Sequence, residues 1–579
     1  MFDTLPDNWK AFLEWPWEKI APYYDDLAAR DLSAGAVESW LLDWTKLADL
    51  VVETRWRLYI NTTLDTTDEA AQKAVNDYLT GIFNPAQSAE QVLKQKLLVS
   101  GLEPEGFELP LKRMRTEAAI FREENLELET REHKLISGYE RTVGTQTTIW
   151  DGEEKTLRQL EPIFIGLDRD QREKMWRAAS GRILEDREKI DEIWMKLMPL
   201  RKQIADNAGF DDYRAYRWQY WRRFDYTPED CLTFHAAIEE VVVPAITELN
   251  ERHRQQLGVE TLRPWDLGVD LQHPQDLRVD PYARPPLRPF QTAEELEQIA
   301  SAIFHRVDPE LGGYFDTLRR EGLLDLPNRK GKGPGAYCQT LDALGRPFVF
   351  LNAVGLQDDV RVILHEGGHA IHAFECAHLP YHQQRTESAM PMEVAEVASM
   401  AMELISTPYW SKAEGGFYSE EDTARARVEH LHTILRFLPY MAVVDAFQHW
   451  AYTHHKAASD PSNCDAKWGE LWDRFMPGVD YSGLEDVKVS GWHNKPHIFS
   501  VPFYYVDYGL AQVGALQVWR NALTDQSHAV KQYRAALRLG GMVNIPTFYE
   551  TAGVKFAFDA ATLREVVGLA MDTIEGLEG

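Results

Sequence analysis

Val362-Ile363-Leu364-His365-Glu366-Gly367-Gly368-His369-Ala370-Ile371-His372-Ala373-Phe374 carries two histidines four residues apart inside an otherwise apolar run. The apolar positions predict a buried helix, on which His365 and His369 project from one face and Glu366 lies beside them. Both imidazoles can reach one metal ion from that face, the arrangement a zinc hydrolase requires. A chance His-Glu-x-x-His is expected roughly once in twenty chains of this length and composition, so the flanking residues matter more than the motif. Three polar groups in a buried helix need partners. Gly367 and Gly368 each cost about 1 kcal/mol of helix propensity relative to alanine, which implies that something packs or binds close to that backbone.

A catalytic zinc site has three protein ligands and an open position. After a break at Leu379-Pro380, the stretch Met392 to Leu404 again reads as a helix, with Glu393, Glu396, Ser399 and Glu403 along one side. Its other positions are so apolar that this acidic stripe faces a polar cavity, where one of its carboxylates completes a His, His, Glu set. The alternative with glycine seven and histidine ten residues after the first histidine is excluded, because His372 and Glu375 stand there.

These segments resemble the thimet oligopeptidase and oligoendopeptidase F metallopeptidases. The resemblance rests on His365-Glu366-Gly367-Gly368-His369, on Glu396-Val397-Ala398-Ser399 with Glu403 beyond, on Arg329 to Cys338 and on His497 to Gly509. Trp265-Asp266, Leu539-Gly540-Gly541 and Ala552 to Phe556 are also similar to oligoendopeptidase F-like chains. It selects Glu396 over Glu393 as third ligand of one zinc ion per chain. It implies a zinc-dependent endopeptidase that cleaves internal bonds of short unstructured oligopeptides, with Glu366 as base. His497, Tyr504, Tyr505 and Tyr508 are its implied oxyanion donors. The histidine-to-tyrosine spacing departs from thimet-type members, with Val501 where one tyrosine is wanted, so the tyrosines carry over as a set.

From spacing, Glu403 lies on the side of Glu396 and is placed to orient a ligand histidine, while His372 suits a structural hydrogen bond better than ligation. Pro502 permits a helix start, which sets Tyr504 and Tyr508 on one face. An aromatic core stripe fits the same pattern. Gly331-Lys332-Gly333-Pro334-Gly335 lacks the lysine followed by serine or threonine of a phosphate loop. The residues after it read as a hairpin, Ala336 to Thr340 and Pro347 to Leu351 around a turn at Asp342 to Gly345. Its edge suits pairing with an extended peptide, and the resemblance makes Gly335 and Ala336 substrate contacts. A purely structural hairpin fits the residues equally well.

At 579 residues and 44% hydrophobic, the chain can bury a large core. A net charge of −29 argues against nucleic acid as a partner. Four scattered cysteines show no disulfide or structural-zinc spacing, and no signal peptide or membrane span is visible, which reads as cytoplasmic. The fold class predicted is all-α: a large two-lobed helical protein with one small β element near the active site and, from the resemblance, a deep substrate channel. The divisions expected are an N-terminal helical lobe at 1–155 and a catalytic region at 156–579, with a proline-rich extended surface connection at 263–290. A short β-like interruption is expected at Thr145 to Thr156. Two rival functions fit the same residues: a related zinc carboxypeptidase, and a silent peptide-binding homologue, against which the intact polar set counts.

Overall fold

A computed structural model describes residues 1–268, 278–386 and 389–578. The protein is all-α, 71% helical. Its β content is two small sheets rather than one element. The first pairs β1 (Thr147–Trp150) with β2 (Glu153–Thr156) around Asp151-Gly152, the interruption anticipated there. The second contains β3 (Leu324–Pro327), β4 (Tyr337–Leu341) and β5 (Arg346–Ala353) in the order β3-β5-β4. The β4–β5 pair is the predicted antiparallel hairpin. Strand β3, which pairs parallel to β5, is not foreseeable from the sequence, because four residues ending in proline carry too little alternation to distinguish a strand from a loop.

Two compact units make up the chain, each assembled from three segments. The first comprises Met1–Arg115, Leu287–Thr423 and Gly514–Phe556, and the second Thr116–Pro286, Ala424–Val513 and Ala557–Gly579. The expected cut at 155 therefore falls inside the second unit, because a linear reading cannot see which segments return to pack together. Part of the proline-rich connection lies outside the described residues. Within the described part, Pro264-Trp265-Asp266 is not a surface strand but a buried 3₁₀ turn. Arg169 holds Asp266 through two parallel bonds of 2.7 and 2.8 Å, which satisfies the carboxylate that makes this segment look solvent-facing in the sequence. Among the described residues no helix is long and apolar enough to cross a membrane.

In the first unit, the Val37–Leu64 helix buries Val37, Trp40, Leu41, Trp44, Leu47, Ala48 and Val51, the three-and-four spacing of one helix face. The helix Gln357–Cys376 carries the histidine motif. Asp359 accepts from the backbone N–H of Val354 and Leu356, both at 2.8 Å, and so caps its start, where Asp358 also complements the helix dipole. Val360, Ile363, Leu364, Gly367, Gly368 and Ile371 form its buried face.

Both glycines of the motif are required by packing. A Cβ on Gly367 would lie 2.2 Å from the ring of Phe304, on the Ala293–Val307 helix. One on Gly368 would lie 2.5 Å from the carbonyl oxygen of Ala398 and 2.6 Å from Cα of Ser399. The neighbour at Gly368 is backbone of the Met392–Ile405 helix and cannot swing aside. Tyr533 holds the same carbonyl, its hydroxyl donating to Ala398 O at 2.6 Å. By contrast nothing lies within 4 Å of a Cβ on Gly138. Gly368→Ala is expected to lose about 1–3 kcal/mol by overpacking despite its better helix propensity, whereas Gly138→Ala is expected to gain up to about 1 kcal/mol. Urea denaturation of the two variants checks this. A Gly368→Ala midpoint at or above that of the parent would show that the two helices are free to separate.

Candidate metal centre

The Gln357–Cys376 and Met392–Ile405 helices bring three of the residues singled out in the sequence together. His365, His369 and Glu396 each offer an atom within 4.8 Å of the others. Glu396 Oε2 lies 3.4 Å from His365 Nε2 and 3.8 Å from His369 Nε2. Donors bound at 2.0–2.1 Å around a tetrahedral ion stand about 3.3 Å apart, so the set needs only a small contraction to close on one. Glu396 is buried, while both imidazoles keep an exposed edge.

Surrounding groups orient these donors. Glu403 Oε1 lies 2.6 Å from His365 Nδ1. An ionised carboxylate only accepts, so His365 donates from Nδ1 to Glu403 and presents Nε2 to Glu396, the nitrogen whose proton a metal would replace. Arg361, one helical turn before His365, places Nη1 3.8 Å from Glu403 Oε2. Ser399 Oγ donates to Glu396 Oε2 at 3.0 Å. Sequence reasoning does not pick out Arg361, although its four-residue spacing to His365 is available as a signal.

The shifts at Glu366, His365, His369, His372 and Glu396 have identifiable causes. Burial pushes the Glu366 carboxyl up to about 7, with the Glu396 charge adding to it and His365 opposing. Burial also lowers His369 to about 4 and His372 to about 3. At His365, burial works against the charged ring, but hydrogen bonds to Glu396 and Glu403 outweigh it and hold the ring up at about 10. Burial likewise opposes ionisation of Glu396, and His365 and His369 reverse it, so its carboxyl lies below its ordinary value. His372, for which a structural hydrogen bond is expected, has no partner for Nε2 among the described residues, and its buried ring centroid lies 6.5 Å from that of Phe548. Glu375, at the position a third histidine would take in the excluded alternative, is ion-paired to Arg534 at 2.7 Å and Arg538 at 3.0 Å.

Gly335 and Ala336 are exposed and immediately precede β4. Gly335 has a φ of +88°, and its carbonyl accepts from Asn352 Nδ2 at 2.9 Å. Lys332 is engaged by Asp325 Oδ1 at 2.6 Å and by the carbonyls of Asp325 and Pro327 at 3.0 Å, so this glycine-rich segment is a strand connection and not a phosphate cradle.

In the second unit, His497 and the three tyrosines form one cluster. The His497 ring centroid lies 4.8 Å from Tyr505 and 6.2 Å from both Tyr504 and Tyr508, and Tyr504 and Tyr508 are 5.3 Å apart. Arg201, its side chain fully buried, holds the chain just after His497 by donating to Ile498 O at 3.2 Å and to the Phe499 carbonyl. The following helix begins at Tyr505 rather than at Pro502. Phe503 interrupts it with a φ of +68°, a left-handed conformation unfavourable for a bulky residue, held by Gln448 Oε1 accepting from its N–H at 2.8 Å. Tyr505 is buried with the Lys495 ammonium 3.9 Å from its ring centroid, whereas Tyr504 and Tyr508 are only half-buried.

Known proteins share this chain's pattern. The model of peptidase family M3 matches residues 167–568. An oligoendopeptidase F homolog of Borreliella burgdorferi is 25% identical over 244 residues, a match spanning 40% of this chain and 39% of that relative's length. Among solved structures, PZ peptidase A with an inhibitor is 26% identical with a TM-score of 0.84, covering 100% of this chain and 99% of the other. An X-ray structure named for oligoendopeptidase F is 26% identical with a TM-score of 0.85, covering 99% and 98%. The resemblance read from the sequence is borne out, and since the family match takes in more than half of the chain, this protein belongs to peptidase family M3.

Proposed function

We propose that this protein is a zinc-dependent endopeptidase that hydrolyses internal bonds of short unstructured oligopeptides. The observation that carries the reading is the convergence of His365 Nε2, His369 Nε2 and Glu396 Oε2, with the His365 tautomer set by Glu403. The naming of the structural neighbours as an oligoendopeptidase F and as a peptidase with an inhibitor supports it. His365, His369 and Glu396 would hold one zinc ion, which supplies a Lewis acid able to acidify water and polarise a peptide carbonyl.

The remaining work falls to the chain itself. Glu366, with a carboxyl raised toward neutrality, suits a base that takes the proton of the attacking water and passes it to the leaving amine. For the oxyanion we assign the half-buried Tyr504 and Tyr508 together with His497, and give Tyr505, buried against Lys495, a packing role. Gly335 and Ala336, exposed beside the edge strand β4, are proposed to meet the main chain of an extended peptide. A cytoplasmic location is in keeping with Cys231, Cys338, Cys376 and Cys464, which form no disulfide.

The deciding experiment is hydrolysis of a short, internally quenched peptide amidated at its C-terminus, with zinc measured on the same samples. Glu366→Gln is expected to retain zinc and lose about 10²- to 10⁴-fold in kcat. Cleavage only when the peptide has a free C-terminus would establish the carboxypeptidase instead, and no cleavage by zinc-loaded protein the silent binder. Glu403→Ala is expected to weaken zinc binding by about 10- to 100-fold in a chelator competition, and unchanged affinity would remove its orienting role. Phenylalanine at the true donor among Tyr504 and Tyr508 is expected to lower kcat by about 10²- to 10³-fold with KM little altered. If both replacements, and Tyr505→Phe as well, leave kcat unchanged, the oxyanion assignment fails.

A further inference from the structure

Of the three tyrosines beside His497, Tyr505 and Tyr508 lie on the Tyr505–Thr524 helix, whose regular geometry fixes where they stand, and Tyr504 lies just before it. The position of Tyr504 therefore depends on the turn at Pro502-Phe503, and that turn is costly by itself. Phe503 is fully buried with a φ of +68°, a left-handed conformation that a bulky side chain disfavours. Groups outside the turn must hold it.

The backbone polar groups on both sides of Phe503 are engaged by side chains from elsewhere in the chain. Trp221 Nε1 donates to the Pro502 carbonyl at 2.8 Å, Gln448 Oε1 accepts from the Phe503 N–H at 2.8 Å, and the Arg223 guanidinium donates to the Phe503 carbonyl. Arg223 also pairs with Asp507 Oδ1 at 2.5 Å, which ties the turn to the start of the following helix. Trp221 and Arg223 flank Arg222, whose φ of +56° closes the Tyr213–Tyr220 helix and lets both neighbours reach the turn. Trp221 also meets Tyr504 directly. Their ring centroids lie 5.5 Å apart at 48°, and both side chains are half-buried. Arg217 steadies the indole, its Cζ 4.7 Å from the ring centroid and its Nη2 3.5 Å from the same Pro502 carbonyl.

We propose that Trp221 is a positioning residue for Tyr504, aiming the phenol hydroxyl at the oxyanion. A donor stabilises developing charge only if it is already in place when the charge appears. Without the indole N–H the Pro502 carbonyl is released, the turn can relax toward a backbone that Phe503 favours, and Tyr504, the next residue, moves with it. Misplacement of a catalytic group by about 1 Å costs on the order of 10²-fold in rate. If Trp221 only packs, its replacement lowers stability and leaves the chemistry of the folded protein alone. The inference rests on the peptidase reading and on the oxyanion role of Tyr504.

The test is hydrolysis of the same quenched peptide by a set of four proteins: wild type, Trp221→Phe, Tyr504→Phe and the double variant. Trp221→Phe keeps an aromatic ring and removes the N–H, and is expected to lower kcat by about 10- to 100-fold with KM little altered. In the Tyr504→Phe background the same replacement is expected to change kcat by less than about twofold, because the hydroxyl it aims is already gone. Full kcat in Trp221→Phe overturns the proposal, as does an equal loss in both backgrounds, the mark of a general structural role. Full kcat in Tyr504→Phe overturns it through the oxyanion assignment, and a zinc-loaded wild type without activity through the peptidase reading. Should Trp221→Phe not fold, benzothienylalanine at position 221, which keeps the indole shape and carries sulfur in place of the N–H, is held to the same outcomes.

Discussion

The separation between the Gln357–Cys376 and Met392–Ile405 helices is set by backbone touching backbone at Gly368, where a Cβ would stand 2.5 Å from the Ala398 carbonyl. Most geometry of the candidate metal centre depends on that contact. His365 and His369 belong to one helix and Glu396 to the other, so the distance between imidazoles and carboxylate is the distance between helices. A ligand set must be held to within about 0.5 Å, and an alanine at 368 would force the helices apart by more than that. Phe304 occupies the notch at Gly367, and Tyr533 bonds the carbonyl that Gly368 approaches, so the pair is restrained from two further directions. The glycines cost helix propensity locally and return it as precision in the donor set.

Electrostatics gives the same helices a second constraint. Glu366, Glu396 and Glu403 are all buried, and such a concentration of carboxylates is unfavourable unless positive charge or donors face it. His365 answers two of them, donating from Nδ1 to Glu403 and facing Glu396 with Nε2. Ser399 and Arg361 supply the remaining partners. Glu366 is the carboxylate left without such an arrangement, and burial raises it toward neutrality. The two roles proposed for these carboxylates, ligand for Glu396 and base for Glu366, thus follow their neighbours: Glu396 is held ionised by two imidazoles, and Glu366 is raised toward neutrality by burial.

Local patterns are legible in the sequence where one helix or one hairpin carries the whole signal. The apolar spacing from Val362 to Phe374 and from Met392 to Leu404 corresponds to helices Gln357–Cys376 and Met392–Ile405, and the Asp342 to Gly345 turn to the β4–β5 hairpin. The paired glycines are readable as a close approach, but not what approaches them, since Phe304 and Ala398 lie elsewhere in the chain. Features depending on long-range return are not legible: the three-segment units, the parallel strand β3 and the burial of Trp265 and Asp266 by Arg169 and its neighbours. The helix start at Tyr505 escapes sequence reasoning for a different reason. Proline at 502 permits a helix, but Gln448 captures the Phe503 N–H and stabilises a left-handed residue that no local propensity favours.

Histidine facing a buried carboxylate recurs in this chain, and exposure separates what each instance is suited to do. At His365 and His369 both rings keep an exposed edge, so a metal held there remains within reach of solvent and substrate. At Asp445, by contrast, nothing lies open to solvent, and the buried carboxylate is answered by two imidazoles, its Oδ2 standing 2.9 Å from His235 Nε2 and 3.2 Å from His449 Nε2. A divalent ion held by an open set with one carboxylate would retain net positive charge and Lewis acidity, while a buried carboxylate already paired with imidazoles is electrically satisfied and chemically quiet. The same pairing of histidine and carboxylate therefore suits reaction where a position stays open to solvent, and the joining of two helices by buried ion pairs where none does.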